Sequence, residues 1–148
     1  MSDRPVVLDV SILVKGITFE EHSEEACALL ATPRRFLAPD LMPIEFGNVL
    51  WKKVQRGLMV REEAMEAQRA LASLCPVRIL PSAIYHERAL AIALAHGRTF
   101  YDSLYLAVAE MEGGVFVTAD ERLVNGLKET PLASSIHWIG ASLPAWHG

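Results

Sequence analysis

Short apolar runs alternate along this chain with longer segments whose apolar residues recur every three or four positions. The short runs are rich in β-branched residues and predict buried strands, whereas the longer segments have the period of an amphipathic helix. The predicted strands are residues 5–10, 35–38, 76–80, 114–119 and 135–140, and the predicted helices are residues 22–31, 41–57, 61–74, 82–97, 99–113 and 120–129. This alternation predicts an α/β sandwich with a mostly parallel sheet.

Residues that favour helix ends limit several of these segments. We expect Ser11 to cap a short helical turn after the first strand, and Asp40 to cap the helix after the second strand. Gly57 and Gly97 follow the last apolar positions of two helices, which is where glycine commonly ends a helix.

Composition narrows the class of protein. The chain has 148 residues, of which 51% are hydrophobic, and no linker is visible, so a single domain over residues 1–148 is expected. No apolar run has the length of a signal peptide core or a membrane span, which predicts a cytoplasmic protein. Cys27 and Cys75 lie among apolar residues and are expected to be reduced core residues. The net charge of −4 disfavours a general nucleic-acid coat protein, but it does not exclude a nuclease with an acidic site.

Four acidic residues stand at the ends of predicted elements. Asp9 ends the first strand and Asp120 follows the fourth, while Glu45 and Asp102 lie in the first turns of helices. Sites in open parallel sheets form at the carboxyl ends of the strands, so Asp9 and Asp120 share a crevice if their strands are neighbours.

Each of these acids also has a purely structural explanation. Thr99-x-x-Asp102 and Thr118-x-x-Glu121 resemble capping boxes, and Asp120 is a plausible N-cap by itself. Glu45 can complement the helix dipole. Asp9 is harder to explain, because aspartate is disfavoured in strands and a buried carboxylate without a partner is costly.

Taken together, the four acids indicate a metal site. Carboxylates that close would repel one another, and a divalent cation such as Mg²⁺ or Mn²⁺ relieves that repulsion through oxygen ligands. Ions held in this way support phosphodiester hydrolysis. Asn48 and Lys52 share a helix face with Glu45 and are candidates for supporting the site.

Four segments resemble the PIN-domain ribonucleases, and more narrowly the VapC-type toxins of bacterial and archaeal toxin–antitoxin pairs. They are LDVSILVK around Asp9, PIEFGNVLWK around Glu45, TFYDSLYLAVAE around Asp102 and FVTADERL around Asp120. The resemblance covers residues 6–139 in the order of the family, and the tail at 140–148 matches nothing. The implied fold is a three-layer α/β/α sandwich with a central, mostly parallel sheet of about five strands.

The resemblance also implies an activity and a set of roles. The implied activity is endonucleolytic cleavage of RNA with Mg²⁺ or Mn²⁺, by a toxin that forms a homodimer and binds a small antitoxin protein. Asp9 and Asp102 would be the principal metal ligands, and Glu45 and Asp120 would complete the cluster directly or through water. Ser11 and Thr118 match small hydroxyl positions that support the site in many members.

Other side chains carry weaker predictions. Lys52 is the best candidate for contacting an RNA backbone, because it shares a face with Glu45; most other basic residues are expected to be solvated surface. Trp51 is expected in the core or at an interface. Two helices have apolar stripes whose simplest explanation is core packing, although a dimer or an antitoxin offers another use; these stripes are Ala64, Ala67, Leu71 and Leu74, and Ile84, Ala91, Leu94 and Ala95.

Other functions remain alternatives at this point. A solitary RNA-processing nuclease or a non-catalytic binding module could use the same fold. A magnesium-dependent phosphotransferase is disfavoured, because Ser11 stands where a second aspartate is usual after the first strand. A dinucleotide-binding domain is disfavoured by the lack of a GxGxxG loop.

Overall fold

A computed structural model describes residues 3–74 and 77–144 of the chain. The side chain of Leu74 is likewise not described. The predictions for Cys75, for the start of the third strand at Pro76 and for the last four residues of the tail therefore concern positions outside the described part.

The five strands form one parallel sheet. They are β1 (Val6–Leu8), β2 (Phe36–Pro39), β3 (Val77–Leu80), β4 (Val115–Thr118) and β5 (Ile136–Trp138), in the spatial order β3-β2-β1-β4-β5. The predicted α/β class and the parallel sheet are confirmed. β1 lies at the centre of the sheet, and its neighbour β4 is the strand that Asp120 follows.

Helices connect successive strands. In the described residues they are α1 (Val10–Lys15), α2 (Ser23–Leu30), α3 (Leu41–Gln55), α4 (Arg61–Leu74), α5 (His86–His96), α6 (Phe100–Met111) and α7 (Glu121–Gly126), with 3₁₀ turns at Ala83–Tyr85 and Pro131–Ser135. The segment predicted as one helix from residue 82 thus begins as a 3₁₀ turn before α5. Gly97 ends α5 with a φ of 64°, which is the left-handed conformation expected after a helix.

The core lies on both faces of the sheet. Every residue of β1, β2 and β4 is buried, which requires helices on both sides. α6 packs against all three of these strands, and residues 103–109 of this helix are buried on every side. A helix that is apolar all round is a buried helix, so α6 is held firmly in place. Asp102 lies at the edge of this rigid segment.

Several local predictions are wrong. Ser11 does not cap α1, because the helix begins at Val10 with Asp9 in the N-cap position. Asp40 occupies the N-cap position of α3, but its side chain makes no capping hydrogen bond to that helix. Cys27 is exposed rather than in the core. Each error has the same cause, since these small or weakly polar residues fit several local environments.

The prediction of core packing is confirmed for one of the two apolar stripes and wrong for the other. Ala64, Ala67 and Leu71 of α4 pack partly against the core. The second stripe does not pack inside: Ile84 and Leu94 are exposed by 70% and 78%, and Ala91 and Ala95 are also exposed. Trp51 is 58% exposed, which excludes a core role. Within the described ranges, no helix has the length and apolar character needed to cross a bilayer.

Candidate active site

The sheet topology brings Asp9 and Asp120 to one edge. β1 and β4 are parallel neighbours in which Val6 pairs with Val115 and Leu8 with Val117. Their carboxyl ends therefore point the same way, and the Asp9 amide donates to the Val117 carbonyl at 3.2 Å. The assumption that these two strands are neighbours is confirmed.

Two hydroxyl groups hold the Asp9 carboxylate. Asp9 Oδ2 accepts a hydrogen bond from Thr118 Oγ1 at 2.8 Å and another from Ser11 Oγ at 3.0 Å. Burial raises the pKa of Asp9, and the two hydroxyl donors partly offset this effect because they stabilise the charged form. The predicted positions of Ser11 and Thr118 beside the acid are thus what the structure shows.

Thr118 also links Asp9 to Asp120. Its side chain is fully buried, and Oγ1 accepts a hydrogen bond from the Asp120 amide at 3.1 Å while donating to Asp9. Thr118 therefore does not cap α7, and the capping box with Glu121 is wrong. Asp120 is the N-cap, because its Oδ1 accepts from the Leu123 amide at 3.1 Å. Asp120 is otherwise exposed and lies at the edge of the site.

Glu45 is held by a tyrosine that the sequence analysis missed. The Tyr105 hydroxyl donates to Glu45 Oε1 at 2.5 Å. Tyr105 is buried and stacks on Phe116 of β4, with ring centroids 5.1 Å apart. Burial and the bond to Glu45 raise the pKa of Tyr105, so its phenol stays protonated and keeps donating. A clue was available, because Tyr105 lies three residues after Asp102 and thus near it on the surface of α6.

Asp102 is placed by the first turn of α6. Its amide donates to Thr99 Oγ1 at 3.1 Å, which confirms the half of the predicted capping box in which threonine accepts. The half-buried Asp102 carboxyl has a raised pKa, first because of burial and then because of the charge of Asp120. The Thr99 hydroxyl and the Arg98 guanidinium lower the pKa of Asp102 and so oppose that shift.

The four carboxylates share one electrostatic environment. The charge of Asp102 contributes to the raised pKa of Asp9. The pKa of Glu45 is raised first by burial and then by the charges of Asp9 and Asp102, while the hydrogen bond from Tyr105 opposes the shift. Asp120 acts in the same way on Asp102. The sequence prediction that these acids come together is therefore consistent with the geometry. Such mutual repulsion is what a bound cation would relieve.

The side chains limit how a metal ion could be held. Among the described residues, no group of three or more His, Cys, Asp or Glu side chains is arranged to hold an ion alone. The donor set at this edge is carboxylate and hydroxyl oxygen, which suits hard cations. Mg²⁺ usually keeps several waters and binds through one or two carboxylates, so the site fits that mode of binding better than full enclosure.

The two predicted supporting residues of α3 lie on the surface. Asn48 and Lys52 are exposed, and neither makes a hydrogen bond or ion pair to the four acids in the described part of the chain. Their roles remain predictions. Lys53, the next residue, pairs instead with Glu20 at 3.5 Å.

Comparisons with known proteins agree on one family. The sequence model of the family described as "PIN domain" matches residues 6–126 of this chain. Ribonuclease VapC3 of Pyrobaculum aerophilum is 34% identical over 119 residues, which cover 80% of this chain and 91% of that protein. Exonuclease VapC9 of the same organism is 38% identical over 81 residues, covering 54% of this chain and 58% of that protein. A toxin–antitoxin complex from Klebsiella pneumoniae contains a chain of the same fold, with a TM-score of 0.61, 16% identity and coverage of 89% and 95%.

Proposed function

Because the chain belongs to the PIN-domain family, we propose that it is a metal-dependent endoribonuclease and the toxin of a toxin–antitoxin pair. The observation that carries this proposal is the acidic site at the carboxyl edge of β1 and β4. There Asp9 accepts hydrogen bonds from two hydroxyls and interacts electrostatically with Asp102 and Glu45, and Asp120 acts in turn on Asp102. The name of the Pyrobaculum aerophilum relative, a ribonuclease, supports RNA as the substrate.

The roles that we propose for the four acids follow from the elements that carry them. Asp9 directly follows the central strand and Asp102 lies in the first turn of α6, just before the buried part of that helix, and these two would be the principal ligands of Mg²⁺ or Mn²⁺. Glu45 and Asp120 would act through bound water, in line with the small number of direct carboxylate ligands that Mg²⁺ takes. When bound, such an ion supplies an activated water and neutralises charge on the phosphate.

The remaining contacts keep these acids in position and ionised. Ser11 and Thr118 donate to Asp9 Oδ2 and so fix the direction of its free lone pairs. Tyr105 does the same for Glu45. Partners of this kind orient the ligands, and their loss typically costs about 10–100-fold in metal affinity or activity. These hydrogen bonds thus orient Asp9 and Glu45 before a cation or an RNA binds.

Cleavage of a cellular RNA pool by the purified protein tests the proposal. We expect cutting with Mg²⁺ or Mn²⁺, none with chelator, and none in Asp9→Asn. Asp3→Asn is the matched control, because Asp3 is an exposed aspartate before the amino end of β1 and should leave cutting unchanged. Cutting that persists in Asp9→Asn would contradict the assigned site, and a silent wild-type protein freed of partners would favour a non-catalytic binding module.

A circular RNA separates two modes of cleavage. An endonuclease opens a circle, whereas an exonuclease needs an end and leaves it intact. We expect circles to be opened. Intact circles beside degraded linear RNA would correct the proposal toward the exonuclease activity that the name of the second relative states.

Two exposed apolar regions are suited to partners. We propose that the exposed face formed by Leu94 of α5 and by Ile84 of the preceding 3₁₀ turn contacts a second copy of the chain. We also propose that the groove between α3 and α4, a cavity of about 250 Å³ lined by Trp51 and Met65, receives an antitoxin segment. The toxin–antitoxin complex with the same fold supports an antitoxin as a partner.

The neighbouring reading frame tests the antitoxin proposal. We expect it to encode a small cytoplasmic protein that co-purifies with this chain and suppresses RNA cleavage. A gene without such a neighbour would favour a solitary RNA-processing nuclease instead.

A further inference from the structure

Arg98 lies between the two helices that carry Asp102 and Asp120. It precedes Thr99, the N-cap of α6, and its guanidinium lies close to Gly126, the last residue of α7. A Cβ atom built on Gly126 would collide with Arg98 Nη2 and would lie 2.8 Å from Cζ. The arginine can therefore occupy this position only because residue 126 has no side chain.

The backbone of Gly126 does not itself require glycine. The positive-φ glycines in the described residues are Gly57, Gly97 and Gly113, and Gly126 is not among them. Alanine would fit this backbone and favour the helix more than glycine does. Close packing of Arg98 is thus the reason that the structure offers for a glycine here.

The other end of α7 is fixed by different contacts. The Asp120 amide donates to Thr118 Oγ1, and Asp120 Oδ1 caps the helix through Leu123. Arg98 lies at the opposite end, where exposed carbonyl groups carry partial negative charge and attract a cation. α7 has only six residues, and its contacts with the core are made by Leu123 and Val124.

Arg98 is also close to the acidic site without belonging to it. Its charge acts on Asp102 in the direction that favours the ionised carboxylate. Its Nε atom is buried and finds no hydrogen-bond partner in the described part of the chain. A guanidinium packed in this way is less free to follow a substrate than an exposed arginine.

We propose that Arg98, packed on Gly126, is a positioning residue that fixes α7 against the start of α6 and so sets the spacing between Asp102 and Asp120. This inference rests on the proposed metal-dependent function. The packing of the guanidinium, rather than its charge alone, carries the effect.

Four variants separate packing from charge. Gly126→Ala keeps the arginine but displaces its guanidinium. Arg98→Gln removes both the charge and the planar guanidinium, whereas Arg98→Lys keeps the charge and removes the guanidinium. The fourth is the double variant Arg98→Gln with Gly126→Ala. Arg61→Gln is the control, because Arg61 is an exposed arginine at the start of α4.

The readouts are the dissociation constant of Mn²⁺, measured by titration calorimetry, and the Mg²⁺ concentration for half-maximal RNA cleavage. We expect each single variant to weaken Mn²⁺ binding by about tenfold, the low end of what loss of an outer partner of a metal ligand costs. The double variant should be no worse than Arg98→Gln. The thermal midpoint of Gly126→Ala should not fall.

The outcomes distinguish this inference from the function on which it rests. If the wild-type protein binds no Mn²⁺, the proposed function and the inference both fail. If it binds Mn²⁺ while Gly126→Ala binds equally well, or Arg98→Lys restores binding fully, only the inference fails. The positioning role would also be overturned if the double variant lost Mn²⁺ affinity by the product of the losses in Gly126→Ala and Arg98→Gln. It would likewise be overturned if Arg98→Gln weakened RNA binding but left Mn²⁺ binding unchanged.

Discussion

The carboxyl edge of the sheet and the outer helices, α3 and α5, break the usual pattern of burial in opposite ways, since the edge buries charged groups and the helices expose apolar ones. At the edge, Asp9, Glu45 and Asp102 are partly withdrawn from water, and burial is the leading cause of each raised pKa. On α5 and α3, large apolar side chains such as Leu94 and Trp51 are left in water. Each departure carries a free-energy cost for the isolated chain.

The difference lies in what would remove that cost. The proposed metal ion would relieve the repulsion among the carboxylates, and hydroxyl groups already hold Asp9 and Glu45 in fixed directions. The apolar side chains need an extended surface, and no contact in the fold fixes them toward a particular partner. The acidic site is therefore organised by contacts within the fold, whereas the exposed apolar faces of α5 and α3 would be covered only by the partners proposed for them.

The largest expected effect concerns the centre of the acidic site. Asp9→Asn should reduce RNA cleavage by more than the roughly 10–100-fold that loss of an outer partner costs, because it removes a direct ligand. The same change should stabilise the metal-free protein, since it removes a carboxylate whose charge is disfavoured by burial. Cleavage rates and thermal unfolding in chelator measure the two effects. A less stable Asp9→Asn protein would show that the carboxylate contributes more through its hydroxyl partners than it costs.

The next effect concerns the support of Glu45. Tyr105→Phe removes the donor to Glu45 Oε1 and keeps the ring that stacks on Phe116. We expect about 10–100-fold slower cleavage and a loss of about 1–3 kcal/mol in the free energy of unfolding, because a partly buried carboxylate loses its partner. Denaturant unfolding measures the stability. Tyr101→Phe is the matched control, because Tyr101 is 61% exposed on the same helix; equal effects of both changes would remove the assigned role of Tyr105.

These two regions also differ in how far the sequence revealed them. The acids stand at strand and helix ends, so the order of elements placed Asp9 and Asp120 at the carboxyl edge of the sheet. That their two strands are neighbours was an assumption until the strand order was known. The Tyr105 hydroxyl could not, because its bond joins α6 to α3 across the fold and depends on how those helices pack. The stripe of Ile84 and Leu94 has a helical period whether it faces the core or a partner, so its period could not show that it is exposed.

The pH dependence of stability sharpens the comparison. Burial raises the pKa of Asp9 and Asp102 from the ordinary 3.8 and that of Glu45 from 4.5, so the folded protein binds more protons than the unfolded chain above those values. These acids therefore contribute stability at low pH that is lost as pH rises through the raised pKa values. Divalent cations bind the ionised form, so stabilisation by Mg²⁺ should grow over the same range.

Asp9→Asn isolates this contribution from that of the other titrating groups. The difference in free energy of unfolding between the wild-type and Asp9→Asn proteins in chelator should shift in favour of the variant as the pH rises above the ordinary aspartate pKa of 3.8. Thermal unfolding at a series of pH values measures it, and Asp3→Asn supplies the baseline for an exposed aspartate. A difference that does not change with pH would mean that Asp9 titrates as it does in the unfolded chain.

The smallest expected effect on stability lies on the outer helix. Leu94 is 78% exposed, so Leu94→Glu should change the free energy of unfolding of the monomer by no more than about 0.5 kcal/mol. It should nevertheless abolish self-association, because a carboxylate would be buried in the interface without a partner. Light scattering coupled to gel filtration measures the mass, and Leu58→Glu, at a position 69% exposed before α4, is the control. If Leu94→Glu dimerises normally while Leu58→Glu does not, the self-association surface lies beside the α3–α4 groove. The two apolar regions would then exchange the roles proposed for them, whereas the acidic site, whose contacts are all internal, would be unaffected.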